Sequence, residues 1–363
     1  MTHATALVLE GPGRLSRREF ALPEIADDDA LLRVEACGLC GTDHELYSGR
    51  LEWPEYGFVP GHETVGVIEE IGRTASERWG VARGDRVAVE IFQSCRSCGR
   101  CRAGDYKHCE RHGPGEMYGF LPVDRAPGIW GGYATHHYLA PDSMVLPIPA
   151  GLDPVVATFF NPLGAGVKWV TQVGALQPGE VVAILGPGVR GIASVIAAKH
   201  MGAAFVMVTG YGSRDAARLE VASRLGADLV VDTSVADPVE ALRAAIGRGA
   251  DLVVDVTANA PSAFAQCLDL ADSGGRVVVA GVRGPGEVKG FVPDLILTKE
   301  LQIKGTMGMD IAAYRPALEL LVAHAEEIAG LPRQTAGFGA AADLLDVMAG
   351  SGSAPPLHAV LVP

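Results

Sequence analysis

The sequence predicts an α/β protein with two domains, a β-rich domain followed by a doubly wound parallel sheet. Up to about residue 150, short β segments such as ATALVLE and ALLRVEACG are broken by Gly and Pro. From about Pro178 the pattern changes to an alternation of Val-rich strands and helical segments. The chain has 363 residues, 48% of them hydrophobic, which is more than one hydrophobic core usually organises.

The individual elements follow from local patterns. The first half continues with the β segments TVGVIEEIG, DRVAVEIF and YATHHYLA, which predict an irregular β domain. In the second half the order is VVAILG, GIASVIAAKHMG, FVMVT, RDAARLEVASRLGA and DLVVD, then LRAAIGRG, DLVVDVT, SAFAQCLDLADSGG and RVVVAGV. Because these strands lack polar alternation, we expect a parallel sheet covered by helices on both faces. After about Met307 come two amphipathic helical stretches, YRPALELLVAHAEEIAG and DLLDVMAG, and the strand HAVLV.

Charge and composition favour a cytoplasmic protein that acts on small molecules. The formal net charge is −13 and no lysine- or arginine-rich block is present, so nucleic acid and anionic membranes would be repelled. The N-terminal segment MTHATALVLEGPGRL lacks the basic and apolar regions of a signal peptide. No apolar run approaches the roughly 20 residues that span a bilayer.

Four of the seven cysteines crowd into one short stretch, QSCRSCGRCRAGDYKHCE. Their spacing is C-x2-C-x2-C-x7-C, formed by Cys95, Cys98, Cys101 and Cys109. Four thiolates close a tetrahedral zinc shell and leave no open position, so the spacing predicts a structural zinc. The alternative is a set of unpaired buried cysteines.

A glycine-rich loop follows the predicted strand VVAIL. Gly186, Gly188 and Gly191 form G-x-G-x-x-G, with Val189 inside it, and a helical pattern begins there. In this context the glycines let the backbone approach a pyrophosphate at a helix N-terminus, which predicts dinucleotide binding. The alternative is a tight turn that binds nothing.

The end of the next strand bears on the choice of dinucleotide. NAD sites usually have an acidic residue there, but FVMVT runs into Gly210, Tyr211, Gly212, Ser213 and Arg214. A hydroxyl and a guanidinium suit a 2′-phosphate, so NADP is favoured over NAD. Two alternatives stay open: Asp215 reaches a ribose, or Arg214 is solvated and Asp215 serves the first turn of the next helix.

A second group of potential metal ligands lies upstream, with Cys40 in GLCGTDHELYSG and His62 with Glu63 in PGHETVGVIEEIG. One thiolate and one imidazole serve a catalytic zinc if a third ligand arrives and one position stays open. Taken alone, such a Cys-Gly pair or Gly-His-Glu turn is more often structural.

Five motifs nevertheless occur in order: CGLCGTD, PGHExxGxIxxIG, the four-cysteine lobe, NPLGAG and GPGVRG. Together they closely resemble the zinc-containing medium-chain dehydrogenases, which include alcohol, sorbitol and threonine dehydrogenases. The resemblance implies a GroES-like catalytic domain (residues 1–162) with a zinc lobe at about residues 92–112. It also implies a Rossmann domain (163–306), a C-terminal return to the first domain (307–363) and an active site in the cleft between the domains.

The resemblance assigns roles to several residues. Cys40 and His62 become catalytic zinc ligands, and Glu63 a carboxylate that binds the metal transiently. Asp43 would fix the tautomer of His62, and Thr42 would accept the alcohol proton as hydride leaves for the nicotinamide. Backbone groups near Val282 would meet the nicotinamide amide.

Two positions depart from the family. Asn161 in FFNPLGAG stands where the family usually has a Cys or Glu ligand, and an amide carbonyl is a weaker, neutral ligand. Asn161 therefore coordinates zinc directly, yields to Glu63, or marks a water-mediated or lost site. At the end of the proton relay, His44 and Glu45 replace the usual histidine; either passes a proton to solvent, or both are solvated residues at a helix start.

The predicted function is zinc-dependent hydride transfer between a secondary alcohol or polyol and NAD(P). Tyr118, Phe120, Trp130 and Trp53 lie in segments that would make the pocket aromatic, although core packing is the better explanation for any one of them taken alone. One alternative is an isomerase or lyase of the same scaffold that cycles its nucleotide internally; another is a non-catalytic zinc or nucleotide-binding protein. By resemblance we also expect a homodimer or homotetramer formed through the region from RVVVAG to LQIKG.

Overall fold

The computed structural model describes residues 2–51, 53–258, 260–283, 287–348 and 356–363. The chain divides into two compact units. The first contains Met1–Phe160 and Leu321–Pro363, and the second contains Asn161–Leu320. Within the described ranges, no helix is long and apolar enough to cross a membrane.

Of the strands in the described residues, the first seven and the last two belong to the first unit, and the six strands between them belong to the second. In order they are β1 (His3–Gly11), β2 (Arg14–Ala21), β3 (Ala30–Leu39), β4 (Glu63–Ile71), β5 (Arg86–Val89), β6 (His136–Leu139), β7 (Val145–Pro147), β8 (Val181–Leu185), β9 (Phe205–Gly210), β10 (Leu229–Asp232), β11 (Ala250–Asp255), β12 (Ala271–Val279), β13 (Gln302–Gly305), β14 (Arg333–Ala336) and β15 (His358–Leu361).

The helices are concentrated in the second unit and the C-terminal segment. They are α1 (Gly41–Tyr47), α2 (Arg73–Trp79), α3 (Gly99–Arg102), α4 (Pro154–Ala157), α5 (Phe160–Val167), α6 (Val189–His200), α7 (Gly212–Arg224), α8 (Pro238–Ile246), α9 (Pro261–Leu270), α10 (Asp294–Thr298), α11 (Ile311–Ala323), α12 (Ala325–Ala329) and α13 (Ala341–Met348). The last two residues of the predicted DLLDVMAG stretch, 349 and 350, lie outside the described residues.

The first unit is built on a mixed sheet whose strands run in the order β14-β15-β3-β4-β5-β7, with β6 also paired to β3. The hairpin of β1 and β2 forms a separate two-stranded sheet. Leu32, Ile68, Val87 and Trp130 belong to the buried core of this unit. The C-terminal strand β15 pairs antiparallel with β3, so the end of the chain completes the sheet that begins near the N-terminus.

The second unit is a six-stranded sheet in the order β10-β9-β8-β11-β12-β13. All its strand pairs are parallel. Every residue of β8 (VVAIL) is buried, as expected for a strand covered on both faces. The order reverses between β8 and β11, and the carboxyl ends of strands at such a point form the usual ligand site of open α/β sheets. The predicted fold class, a β-rich domain with a doubly wound parallel sheet, is confirmed.

Candidate functional site

The four-cysteine lobe folds into a compact ligand cluster. Four sulfur atoms lie within 4.8 Å of one another, those of Cys95, Cys98, Cys101 and Cys109. Cys95 and Cys101 have their sulfurs 3.7 Å apart, close to the about 3.8 Å that tetrahedral Zn–S bonds of about 2.3 Å require. The backbone N–H groups of Cys98 and Cys101 each donate to the preceding cysteine sulfur at 3.4 Å. The geometry fits a closed zinc shell.

The protonation of these thiols is uneven. Hydrogen bonds from the Ser97 hydroxyl and from backbone N–H groups lower the pKa of Cys95 to about 5. Burial raises the pKa of Cys101 to about 11. Because only thiolates bind zinc, a cation entering this cluster displaces protons, so its affinity increases with pH.

Polar contacts fix the lobe to the rest of the first unit. The Tyr106 hydroxyl donates to the buried carboxylate of Glu90 at 2.7 Å. The His112 ring lies between two carboxylates, with Nδ1 2.7 Å from Glu116 and Nε2 2.8 Å from Asp142. Although burial opposes it, these two carboxylates raise the pKa of His112.

Cys40, His62 and Glu63 form the second cluster. Cys40 follows β3 directly, His62 precedes β4, and Glu63 opens β4 opposite Gly38 of β3. The pairing of these two strands therefore brings the three side chains together. All three are buried, with one ligand atom of each within 4.8 Å of the others, and Cys40 Sγ lies 3.0 Å from His62 Nε2.

Asp43 lies next to this cluster and contacts both Cys40 and His62. Its Oδ2 accepts from the backbone N–H of Cys40 at 2.9 Å and caps helix α1 together with the Cys40 side chain. Its Oδ1 lies 3.6 Å from His62 Nδ1 and has no hydrogen-bond partner among the described residues. The cluster thus combines a thiol, an imidazole and two carboxylates, all of them buried. Among the described residues, no lysine or arginine forms an ion pair with Asp43. Such a set of buried groups suits a divalent cation.

The relay candidates lie on α1. Thr42 is partly exposed, and its backbone N–H donates to Cys40 Sγ at 3.3 Å. Glu45 makes a bidentate ion pair with Arg50 at 2.7 and 2.8 Å. Burial and the nearby Arg50 charge lower the pKa of His44, which favours its neutral form.

Asn161 is the second residue of α5 and is fully buried in the second unit. Its Nδ2 donates to the Tyr314 hydroxyl at 3.0 Å. Its Oδ1 has no hydrogen-bond partner among the described residues. The amide is thus fixed by its nitrogen, which leaves the carbonyl oxygen able to accept a hydrogen bond or bind a cation.

The glycine loop between β8 and α6 has the form that a pyrophosphate requires. Gly186 has φ +104°, a conformation that L side chains rarely adopt. A Cβ at Gly188 would meet no atom within 4 Å, so the backbone there borders open space. A Cβ on Gly191 would lie 1.9 Å from the Gly186 oxygen, so glycine is needed for the helix to pack on the loop. Val189 begins α6, whose first N–H groups point toward the loop.

The end of β9 has no room for a carboxylate. A Cβ on Gly210 would lie 2.9 Å from the Asp215 Cβ and 3.1 Å from Leu219. Ser213 and Arg214 are exposed in the first turn of α7. Asp215 instead accepts from the Tyr211 N–H at 3.0 Å and faces Arg218 at 3.6 Å, so it serves the start of the helix.

The predicted aromatic residues separate into two groups. Phe120 lies beside the metal cluster, with its ring centroid 5.5 Å from that of His62, and Trp53, 49% exposed, stacks on it at 5.7 Å. Tyr118 and Trp130 stack at 6.2 Å in the buried core. Core packing therefore explains the second pair, whereas the first pair borders the cluster.

One residue near the cluster escaped the sequence analysis. Tyr133 is fully buried, its hydroxyl has no hydrogen-bond partner among the described residues, and burial and nearby Asp43 raise its pKa well above the ordinary value. The segment GGYA gives no chemical signal for this position, because a tyrosine after two glycines in a β segment predicts only packing.

Comparison with known proteins agrees with this arrangement. The family model "Alcohol dehydrogenase GroES-like domain" matches residues 26–150, and "Zinc-binding dehydrogenase" matches residues 190–323. A Mycobacterium tuberculosis protein described as "Probable alcohol dehydrogenase" is 58% identical over 99% of this chain and 98% of its own length. A sorbitol dehydrogenase of Bacillus subtilis is 30% identical, covering 84% of each chain.

A solved structure shows the same fold. The crystal structure of a Sinorhizobium meliloti 1021 protein bound to NADP superposes with a TM-score of 0.84, at 30% identity and over 100% of both chains. Together with the matched families, this confirms the resemblance and the expectation of zinc and a nicotinamide dinucleotide as cofactors. The chain belongs to the zinc-containing medium-chain dehydrogenases and is an oxidoreductase that interconverts an alcohol and its carbonyl compound.

Proposed function

We propose that Cys40 and His62 hold a catalytic zinc and that the lobe cysteines Cys95, Cys98, Cys101 and Cys109 hold a structural one. The observation that supports the catalytic site is the buried contact of Cys40 Sγ with His62 Nε2, with Asp43 facing the other ring nitrogen. When bound, zinc supplies Lewis acidity that lowers the pKa of a substrate hydroxyl, and the nucleotide takes up hydride.

The residues of α1 complete this site. Asp43 favours the His62 tautomer that keeps Nε2 as a ligand, because a carboxylate near Nδ1 retains the proton there. Thr42 accepts the substrate proton and donates its own hydroxyl proton onward. We assign the next position to His44, because Glu45 is held by Arg50 while His44 is kept neutral and able to accept.

Asn161 and Glu63 are the two candidates for the third protein ligand. Asn161 offers a buried carbonyl oxygen whose amide is fixed by Tyr314, and Glu63 offers a buried carboxylate next to His62. We propose that Asn161 is a weak ligand and that Glu63 replaces it transiently. The negative charge of the Glu63 carboxylate makes it a stronger zinc ligand than the neutral amide oxygen of Asn161.

NADP is the preferred dinucleotide in this proposal. Gly210 excludes the acidic side chain that binds a ribose 2′-hydroxyl, and Ser213 with Arg214 presents a hydroxyl and a guanidinium at the start of α7. The related Sinorhizobium meliloti protein was solved with NADP. Gly186, Gly188, Val189 and Gly191 would contact the pyrophosphate, and backbone near Val282 the nicotinamide.

For the substrate we propose a secondary alcohol or polyol. Phe120 and Trp53 provide an apolar wall beside His62, which favours a substrate with an apolar part. Relatives include a sorbitol dehydrogenase and an erythritol/L-threitol dehydrogenase, both of which are named after polyols. The test is a panel of primary alcohols, secondary alcohols and polyols with NADP and NAD, followed by absorbance of the reduced nicotinamide. Faster turnover of primary alcohols or of NAD would contradict this proposal.

The alternative of an isomerase or lyase that cycles its nucleotide internally rests only on the neutral amide of Asn161, which is a weak zinc ligand. The 58% identical relative described as a probable alcohol dehydrogenase supports net oxidoreduction instead. Net reduction of NADP by an alcohol is the expected result, because an internally cycling enzyme shows no net absorbance change.

We further propose that the protein is cytoplasmic, with residues 1–162 and 307–363 as the catalytic domain and residues 163–306 as the nucleotide-binding domain.

We also propose that the chain forms a homo-oligomer. Strand β13 is an edge of the parallel sheet, and the nearby Leu297 and Val292 are 78% and 49% exposed. We propose that two copies pair along their β13 edges and that these apolar side chains pack in the same interface. Light scattering of the wild type and Leu297→Asp tests this: a dimer or tetramer that dissociates in the variant is expected, and a wild-type monomer contradicts it.

A further inference from the structure

Asp255 connects several segments at the carboxyl end of the parallel sheet. It ends β11 and its side chain is fully buried. Its Oδ1 accepts from the backbone N–H and the hydroxyl of Thr257 at 3.0 and 2.6 Å. Its Oδ2 forms an ion pair with the guanidinium of Arg283, and the Cys267 thiol donates to it at 3.6 Å.

The main chain of Asp255 binds the same region. Its carbonyl oxygen accepts from the N–H groups of Ala280 and Gly281 at 3.0 and 3.1 Å. A Cβ on Gly281 would lie 1.8 Å from the Thr257 oxygen, so the two backbone segments are in direct contact. Both the side chain and the main chain of Asp255 therefore hold the segment that follows β12.

The turn after Asp255 also packs against the glycine loop. A Cβ on Gly186 would lie 3.3 Å from the Thr257 methyl group and 3.4 Å from a methyl group of Val256. The same Val256 methyl group is 3.5 Å from an ideal Cβ on Gly191. Val256 and Thr257 thus border the phosphate-binding loop, and Thr257 is held by Asp255 Oδ1, whereas Asp255 Oδ2 holds Arg283 of the segment 280–283.

Adjacent side chains of that segment point in opposite directions. Arg283 is largely buried against Asp255, with its guanidinium over the Phe264 ring at 6.0 Å, whereas Val282 is 71% exposed. Breaking a buried ion pair leaves an uncompensated charge, so the pair strongly favours the arrangement with Arg283 inward. Because Arg283 is held inward, the backbone at Val282 is fixed in the conformation that turns the Val282 side chain outward.

We propose that the Asp255–Arg283 ion pair is a positioning device for the nicotinamide half of the cofactor. The inference rests on the proposed contact of the nicotinamide amide with backbone at Val282. Neither charged group touches the cofactor; the pair sets the backbone that does. Its loss weakens the binding of the whole dinucleotide but spares the fragment that lacks nicotinamide.

The test compares two ligands on each variant by calorimetry: NADPH, and 2′-phospho-ADP-ribose, which has no nicotinamide. Arg283→Met removes the charge and keeps an apolar stem over Phe264. Arg283→Lys keeps the charge and serves if the first variant fails to fold. The matched control is Arg276→Met, which breaks the Arg276–Glu180 pair at 2.5 Å elsewhere on β12.

We expect Arg283→Met to raise the Kd of NADPH about tenfold and to change that of the fragment less than about twofold. Arg283→Lys should lie between the wild type and Arg283→Met, and Arg276→Met should leave the ratio of the two Kd values unchanged. An equal rise for both ligands, or no rise for NADPH, overturns the inference. A wild type that binds neither ligand overturns the proposed preference for NADP, separately from the inference about Arg283.

Discussion

Nδ1 of His62 faces Oδ1 of Asp43 at 3.6 Å, while the opposite ring nitrogen, Nε2, lies 3.0 Å from Sγ of Cys40. The imidazole is therefore placed between a potential ligand sulfur and a carboxylate. Zinc bonds of about 2.3 Å to sulfur and about 2.0 Å to nitrogen at a tetrahedral angle correspond to a distance of about 3.5 Å between Cys40 Sγ and His62 Nε2. Only a small movement of either side chain is needed to admit the ion.

Asp43→Asn should weaken zinc at this site because an amide no longer favours the proton on His62 Nδ1. We expect a loss of about 10- to 100-fold in affinity, measured by competition with a chromogenic chelator. The lobe zinc is the internal control, since Asp43 does not contact those cysteines in the described structure. Equal affinity in variant and wild type would show that Asp43 does not act through His62.

Cys101→Ser should remove the lobe zinc and destabilise the protein. The expected loss is about one zinc per chain and more than about 3 kcal/mol in the free energy of unfolding, because metal binding contributes directly to folding. Cys267→Ala alters a buried cysteine outside both clusters and should keep the wild-type zinc content. Retention of full zinc by Cys101→Ser would refute the assignment of the lobe.

Two buried histidines should make the protein sensitive to acid. Burial lowers the pKa of His137 and of His358 to about 3. An unfolded histidine has a pKa of about 6.5, so the unfolded chain binds more protons between pH about 6.5 and 3. Stability must fall as the pH falls through this window, by about 2 kcal/mol for each histidine between pH 7 and pH 5.

His137→Leu tests this directly. The variant should lose less stability than the wild type between pH 7 and pH 5 in urea unfolding, since Leu takes up no proton. His200→Gln changes an exposed histidine and should keep the wild-type slope. A His137→Leu variant with the full wild-type slope would assign the acid sensitivity to other groups.

Arg214→Ala should change the discrimination between the two dinucleotides. We expect the KM for NADP to rise about tenfold and that for NAD to stay within about twofold, because only NADP has a 2′-phosphate for the guanidinium. Arg224→Ala, at the exposed far end of α7, is the control for a simple loss of charge. Parallel changes for both dinucleotides would mean that Arg214 does not contact the 2′-phosphate.

The sequence was informative wherever chemistry is encoded in local spacing. The four cysteines lie within 15 consecutive positions, 95–109, and the three loop glycines within six, so short-range geometry brings each set together. The order of elements similarly predicted the two-part fold, because Val-rich strands alternating with helices leave few other topologies. The family motifs then linked Cys40 with His62, which no local pattern places together.

Other features depend on contacts that spacing does not reveal. The pairing of β3 with β4 decides that Cys40 meets His62, and the same register decides that Glu63 is near them. Asp255 and Arg283 are separated by a helix and a strand, and their ion pair follows from the packing of two strand ends. The exclusion of a carboxylate at Gly210 is a steric fact that required the positions of Asp215 and Leu219.

The most direct test of the catalytic-zinc assignment is zinc per chain, measured by elemental analysis on freshly purified wild type and Cys40→Ala. We predict about two zincs per chain in the wild type and about one in the variant, since the lobe cysteines are unchanged. About one zinc in both proteins would show that only the lobe binds metal, and would contradict a reaction that depends on zinc at Cys40 and His62.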